Sequence, residues 1–341
     1  MKKRLLFLIA VGIVLGAAEV RAQETGVFAR MGFGARGIAM SNALVADASG
    51  HTSPYYNPAL APFIARQSLD ASAALMTLDR ELQFIQFSTP LRPRAGIAAG
   101  LIHAGVSDID GRDGSGYHTG TFSTDEYALF LAFGVRISER ITAGLGLQFF
   151  RADYFEDLSP AGSIGLDLGL NVTVTEALRV GVAVDDLLAR YSWDTSDLLG
   201  SSGRTTSDRF PARLRLGAAY ALLGQRLLLT AEYESRFTSS EIRTRDIRLI
   251  GDVPREVFTS ERLTLHDSRL RLGAEYQPVE AFAVRGGIDR LADGALGSAR
   301  PSAGFMVEQA LGSLLARAEY AFVLEPYAFG TMHLVTLRFF L

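Results

Sequence analysis

The sequence predicts an all-β fold: a transmembrane antiparallel β-barrel of about 14 strands, preceded by an N-terminal plug that does not itself read as strand. Three observations carry that expectation. The chain opens on a short apolar leader. Its hydrophobic residues, 48% of 341, then arrive almost wholly in alternation with small or polar ones, the period of a strand with one greasy face. Beyond the leader, no apolar run reaches the 18 or more residues that a membrane-crossing helix needs.

Residues 1–22 begin with Lys2, Lys3 and Arg4, continue with an apolar run over 5–18, and end on Val20-Arg21-Ala22. This is the pattern of a signal peptide, with cleavage expected near Ala22. The chain has no cysteine, which excludes disulfides and a lipoprotein leader. Without the leader, 30 basic residues face 36 acidic ones, a net charge of -6. Nucleic acid is therefore not an expected partner. Both lysines lie in the leader, so every mature basic residue is arginine, the side chain that stays charged and grips carboxylates with two parallel donors.

Residues 23–64 are expected to form the plug and residues 65–341 the barrel. Within the plug, Gly32, Gly34, Gly37, Ala39, Ser41 and Ala43, with Pro54 and Pro58, suit compact turns and one or two short helices. Asn57 precedes Pro58, which biases it to extended backbone, so a fixed turn is expected over 55–62. Tyr55, Tyr56 and Phe63 would then wedge against the wall.

In the barrel, Ile164, Leu166, Leu168, Leu170 and Val172 share one face while Gly165, Asp167, Gly169 and Asn171 share the other. The same parity runs through Tyr127 to Ile137 and through the final strand, where Val335, Leu337 and Phe339 oppose Thr336, Arg338 and Phe340. Segments near 67–77, 81–90, 94–106, 122–137, 140–153, 162–174, 177–191, 210–222, 225–237, 262–277, 280–290, 300–309, 312–324 and 331–341 give the count of 14. Their length of roughly ten residues suits tilted bilayer-crossing strands. Aromatics near strand ends, among them Phe149, Phe150, Tyr154, Tyr220 and Tyr276, suit interfacial girdles. Tight connections at 91–94, 138–140, 175–177, 223–225 and 277–280 are expected on the periplasmic side, and long loops at 107–121, 192–209 and 237–262 outside.

The greasy faces leave the charges pointing inward. Asp167, Arg179, Arg213, Arg215, Glu232, Arg271, Glu275, Arg285, Arg317 and Glu319 mix both signs on neighbouring strands. Such mixing favours pairing across a narrow interior, because a buried charge must be paired.

Other patterns carry less. Residues 32–37 match G-x-G-x-x-G but lack the flanking βαβ unit that gives this motif its meaning. Asp108, Asp110 and Asp113 share a loop without calcium-loop spacing. The five histidines share no ligand spacing. Asp185 and Asp186 are expected to point to opposite strand faces, and no nucleophile set converges. No metal, cofactor or catalytic residue is expected.

Gly34-Ala35-Arg36 with Met40, then residues 46–49 and Tyr55-Tyr56-Asn57-Pro58-Ala59, resemble the N-terminal signature of PorV/PorQ-type outer-membrane proteins, relatives of the FadL fatty-acid transporters. The strand runs 178–187, 212–220 and 270–276 look similar to that family as well. One departure is Leu60, where the family has glycine. The resemblance implies a 14-stranded barrel with an N-terminal hatch, in contact with outer-membrane lipid. It also implies one of two roles: an accessory of type IX secretion that meets a translocon or exported proteins, or a transporter of a hydrophobic small-molecule ligand. The first is the expected role, because the signature is closer to the PorV/PorQ branch.

Overall fold

The computed structural model describes residues 25–155, 158–196, 200, 203–250, 253–291, 299–312, 314–324 and 330–341, with the backbone alone for 239–250, 253–263 and 265. The expected signal peptide lies outside the described residues. The first strands are Ser68–Leu75 (β1), Arg80–Leu91 (β2), Ala95–Arg112 (β3), His118–Arg136 (β4), Ile141–Asp153 (β5), Ala161–Thr173 (β6) and Leu178–Leu187 (β7). Arg190–Asp194 (β8) and Thr205–Arg209 (β9) form a separate hairpin. Then come Ala212–Leu222 (β10), Leu227–Ile250 (β11), Val253–Val279 (β12), Phe282–Asp289 (β13), Arg300–Leu311 (β14), Leu314–Leu324 (β15) and Thr331–Phe340 (β16).

Fourteen of these strands, all but β8 and β9, close into one antiparallel barrel. Closure is made by β1 against β16, from Ser68 opposite Phe340 to Leu75 opposite His333. Each of the 14 expected segments corresponds to one barrel strand. The parity also holds: Leu131, Leu168, Leu216 and Val335 lie exposed on the outer face, Leu168 at 43%, whereas Asp167, Asn171, Arg215 and Thr336 are buried on the inner one. An apolar exterior over a polar, filled interior is the arrangement a bilayer demands of a closed barrel.

Several expectations are corrected. The stretches 107–121 and 237–262 are largely strand: β3 and β4 run 18 and 19 residues, β11 and β12 run 24 and 27. A bilayer is crossed in about 9–11 residues, so these strands continue beyond it, paired only with each other. The expected strand over 177–191 ends at Leu187, and the 192–209 loop holds most of the β8–β9 hairpin. Phe150 is not a girdle residue; it is buried inside against Phe210, with ring centroids 4.7 Å apart. Tyr154 stacks on Trp193 of β8.

Asp185 and Asp186 do not point oppositely. Leu166 pairs with Leu187 but Leu168 pairs with Val184, so β7 carries one extra residue, a bulge. Asp186 takes a left-handed backbone with φ 60°, and both carboxylates are buried inside.

Candidate functional site: the occupied lumen

Residues 25–64 lie inside the barrel and contact its wall nearly all the way round. They comprise a 3-10 turn at Phe28–Arg30, a six-residue helix Gly34–Ala39 (α1) and a 3-10 helix Pro58–Phe63. The G-x-G-x-x-G spacing thus falls across α1, with no strand before it among the described residues. The second 3-10 helix starts as Asn57 and Pro58 lead one to expect. Asn57 is extended, at φ -164°, and its side chain accepts from the Ala59 N–H at 2.9 Å, while Pro58 needs no partner for its nitrogen.

On one side this segment meets glycine. Helix Pro58–Phe63 packs on β2 to β6, where a Cβ at Gly96 would overlap the Ala61 carbonyl and one at Gly144 would overlap the Pro58–Ala59 backbone. Hydrogen bonds fix the approach. Thr142 Oγ1 donates to Ala59 O at 2.8 Å, Asn171 Nδ2 to Ala46 O at 3.1 Å, and the fully buried Asn57 donates to Val45 O at 2.8 Å. The guanidiniums of Arg136 and Arg179 approach Phe63, 5.5 and 5.9 Å from its ring centre.

On the other side it meets charge and hydroxyls as well as glycine, at Gly287 and Gly304. Helix α1 packs on β13 to β16 and β1. The Ala35 N–H donates to Thr336 Oγ1 at 2.8 Å, and Ser302 Oγ donates to Ala39 O at 2.8 Å. Arg36 grips Glu275 through Nε and Nη2, both at 3.0 Å, and donates through Nη1 to Asp47 at 2.5 Å and to Thr52. Burial works against charge on Arg36 and Asp47. The Asp47 and Glu275 carboxylates nevertheless hold Arg36 above its ordinary value, and Arg36 with the Thr52 hydroxyl holds Asp47 below its own. Arg338 grips Asp70 through two bonds of 2.7 and 2.8 Å and donates to the His51 carbonyl at 2.9 Å.

The expected inward charges are mostly brought together. Arg215 donates twice to Asp185, at 2.6 and 2.9 Å, and to Tyr56 O at 2.6 Å. Arg213 and Arg30 share Asp186, at 2.9 and 3.1 Å. Arg271 bridges Glu232 and Glu234, each at 2.9 Å, and Glu232 accepts from the Val45 N–H. Arg285 joins Glu275 to Glu319 at 2.6 and 2.8 Å, and Arg317 meets Glu308 at 2.6 Å. Two expected members stand apart: Asp167 accepts only from Gln148 and the Asp186 N–H, and Arg179 rests on Phe63. Asp70 and Arg338 were legible by parity. Arg30 and His51 had no sequence signal.

The lumen also holds aromatics next to these charges. Phe33 packs on Phe84, Phe130 and Tyr55 with centroids 5.1–5.4 Å apart. Tyr191 of β8 is wholly buried against Phe210. At the short-turn end, a cavity of about 410 Å³ opens between residues 50–66 and the wall, lined by His51, Arg66, Arg317, Arg338, Leu315 and Phe340. Of the carboxylates expected in one loop, Asp108 and Asp110 lie in β3 and Asp113 in the turn after it; Asp110 is engaged by Arg112 and His118, and Asp113 accepts from the Ser115 and Tyr117 N–H groups.

No family model and no curated protein matches the chain. Solved structures do. CymD, a monoaromatic hydrocarbon channel, aligns with a TM-score of 0.58 at 13% identity over 91% of this chain and 97% of its own. The toluene transporter TodX of Pseudomonas putida gives 0.56 at 13% over 94% and 98%. A FadL homologue of Pseudomonas aeruginosa gives 0.54 at 10% over 90% and 98%. At such identities the likeness shows a shared barrel fold.

Proposed function

We propose that this protein is a non-enzymatic outer-membrane channel for small hydrophobic molecules, closed at rest by residues 23–64. The observation that carries the reading is what fills the lumen. Phe84, Phe130, Phe150 and Phe210 form one buried aromatic cluster with Phe33 of the segment and Tyr191 of the β8–β9 hairpin, and the segment packed among them is hydrogen-bonded to the wall. Aromatic rings offer an apolar solute favourable contacts, and the segment with its paired charges would have to shift to let one pass. Whole-length likeness to channels described as carrying toluene and monoaromatic hydrocarbons supports the same reading.

The secretion-accessory role rests on the resemblance of the N-terminal signature and the strand runs, and nothing in the comparisons adds to it. Gly34, Ala35, Arg36, Tyr55, Tyr56, Asn57, Pro58 and Ala59, the residues of that signature, serve in the proposed channel as anchors of its closed state. The test is uptake of labelled toluene by cells with and without the gene, alongside purification from native membranes. Faster uptake with the protein, and no translocon or exported protein bound to it, is expected. Unchanged uptake together with a co-purifying translocon would restore the accessory role.

A further inference from the structure

Among the described arginines of the lumen, nearly every guanidinium is spent on a carboxylate or a backbone carbonyl. Along one arc of the short-turn rim the opposite holds. Arg66 precedes β1, Arg92 and Arg94 form the β2–β3 turn, and Arg140 lies in the β4–β5 turn. All four are exposed, and their side chains make no hydrogen bond or ion pair among the described residues. Arg136, beside them through its N–H to Arg94 O at 2.7 Å, is spent only on the Phe63 ring. Glu139 shares the turn with Arg140 and forms no ion pair with it. In a mature chain of net charge -6, this is a local concentration of unneutralised positive charge.

Its surroundings select the anion. Each turn arginine adjoins a residue of the apolar outer belt: Leu91 before Arg92, Ile141 after Arg140, with Val135 and Ile137 beside them, exposed at 37–60%. The guanidiniums therefore sit where the greasy belt ends, within side-chain reach of the level at which lipid phosphates begin. A guanidinium fork matches a phosphate with two parallel donors.

We propose that Arg66, Arg92, Arg94 and Arg140 form a binding arc for the phosphates of anionic phospholipids in the leaflet on the short-turn side. The arc fixes the depth of the barrel on the side where residues 58–63 press against the wall. This does not rest on the transport reading, and it is measured without any transported solute.

The experiment uses full-length protein in nanodiscs of phosphatidylcholine with a minority of phosphatidylglycerol, with retained lipids counted by native mass spectrometry. Retained phosphatidylglycerol should exceed its bulk share, and the excess should shrink in high salt. It should fall by about fivefold per arginine removed, from the roughly 1 kcal/mol that each contributes at an anionic surface, across Arg92→Gln, Arg94→Gln and Arg140→Gln. A control set on the β8–β9 hairpin, Arg190→Gln with Arg209→Gln, should keep the excess. Phosphatidylglycerol at its bulk share in the wild type would overturn the proposal. So would an acidic peptide such as polyglutamate that binds the arc undiminished by anionic lipid, since the surface would then serve a soluble partner. Heat-modifiable migration of each variant shows that its barrel is closed.

Discussion

The two sides of the lumen hold the same segment by different physics. Against β2 to β6 the contact is mainly shape: backbone lies on Gly96 and Gly144, with Thr142 and Asn171 donating to segment carbonyls and no ion pair between segment and wall among the described residues. Against β12 to β16 and β1, glycine contacts at Gly287 and Gly304 are joined by charge and hydroxyl, with Arg36 on Glu275 and Asp47, the Ala35 N–H on Thr336, and the 410 Å³ cavity alongside. Close packing tolerates little displacement, because a gap of about an ångström forfeits up to about half of its dispersion energy. Ion pairs can exchange partners or take up water as they separate. The side of β2 to β6, without ion pairs to the segment, therefore acts as the fixed seam and the arginine side as the one that can part.

The sharpest way to break this contrast is Arg36→Met. Removing one partner of a buried pair costs about 3–5 kcal/mol because the other charge is left unpaired. Glu275 keeps Arg285, but Asp47 does not keep a cation. Limited proteolysis should then cut near residues 47–54 while the barrel stays heat-modifiable. Unchanged resistance would mean that the arginine side does not hold the segment.

A smaller effect is expected at the seam. Gly144→Val would set a side chain into the Pro58–Ala59 backbone, a strain of about 1–3 kcal/mol by analogy with overpacked cores. Because backbone cannot swing aside, the change should loosen residues 55–63 as read by hydrogen exchange. Exchange equal to wild type would show that the seam is not tight.

The smallest effect concerns pH. Burial first, then the guanidiniums of Arg317, Arg36 and Arg338 with Glu275 opposing them, push the His51 pKa down to about 3. A lowered histidine pKa means that the released segment binds a proton more readily than the docked one. Docking is thus strongest above the free value near ~6.5 and weakens as pH falls from there toward about 3. Opening events should grow more frequent between pH 6.5 and 4, and His51→Gln should flatten that dependence. A dependence that survives the substitution would assign it to another group.

How much of this was legible varied with the range of the interaction. Strand number and lumen parity follow from local alternation, so Leu168 and Asp167 could be placed outside and inside from their neighbours alone. The Asn57–Pro58 turn is equally local. Glycines such as Gly144 read only as small inward residues, because their partner lies more than 80 positions away and backbone contact leaves no residue signature. The β7 bulge hid for a related reason: one extra residue changes the direction of Asp186 without changing composition. The lengths of β11 and β12 were missed because polar strands beyond the bilayer lose the apolar alternation by which the others were found.

The claim at the centre is that the segment closes the barrel, and single-channel conductance in planar bilayers tests it most directly. The intact protein should conduct poorly, and deletion of residues 26–62 should open a steady pore in a barrel that still migrates as folded. A large, steady pore in the intact protein would contradict the account, as would a folded deletion variant that conducts no better than the whole chain.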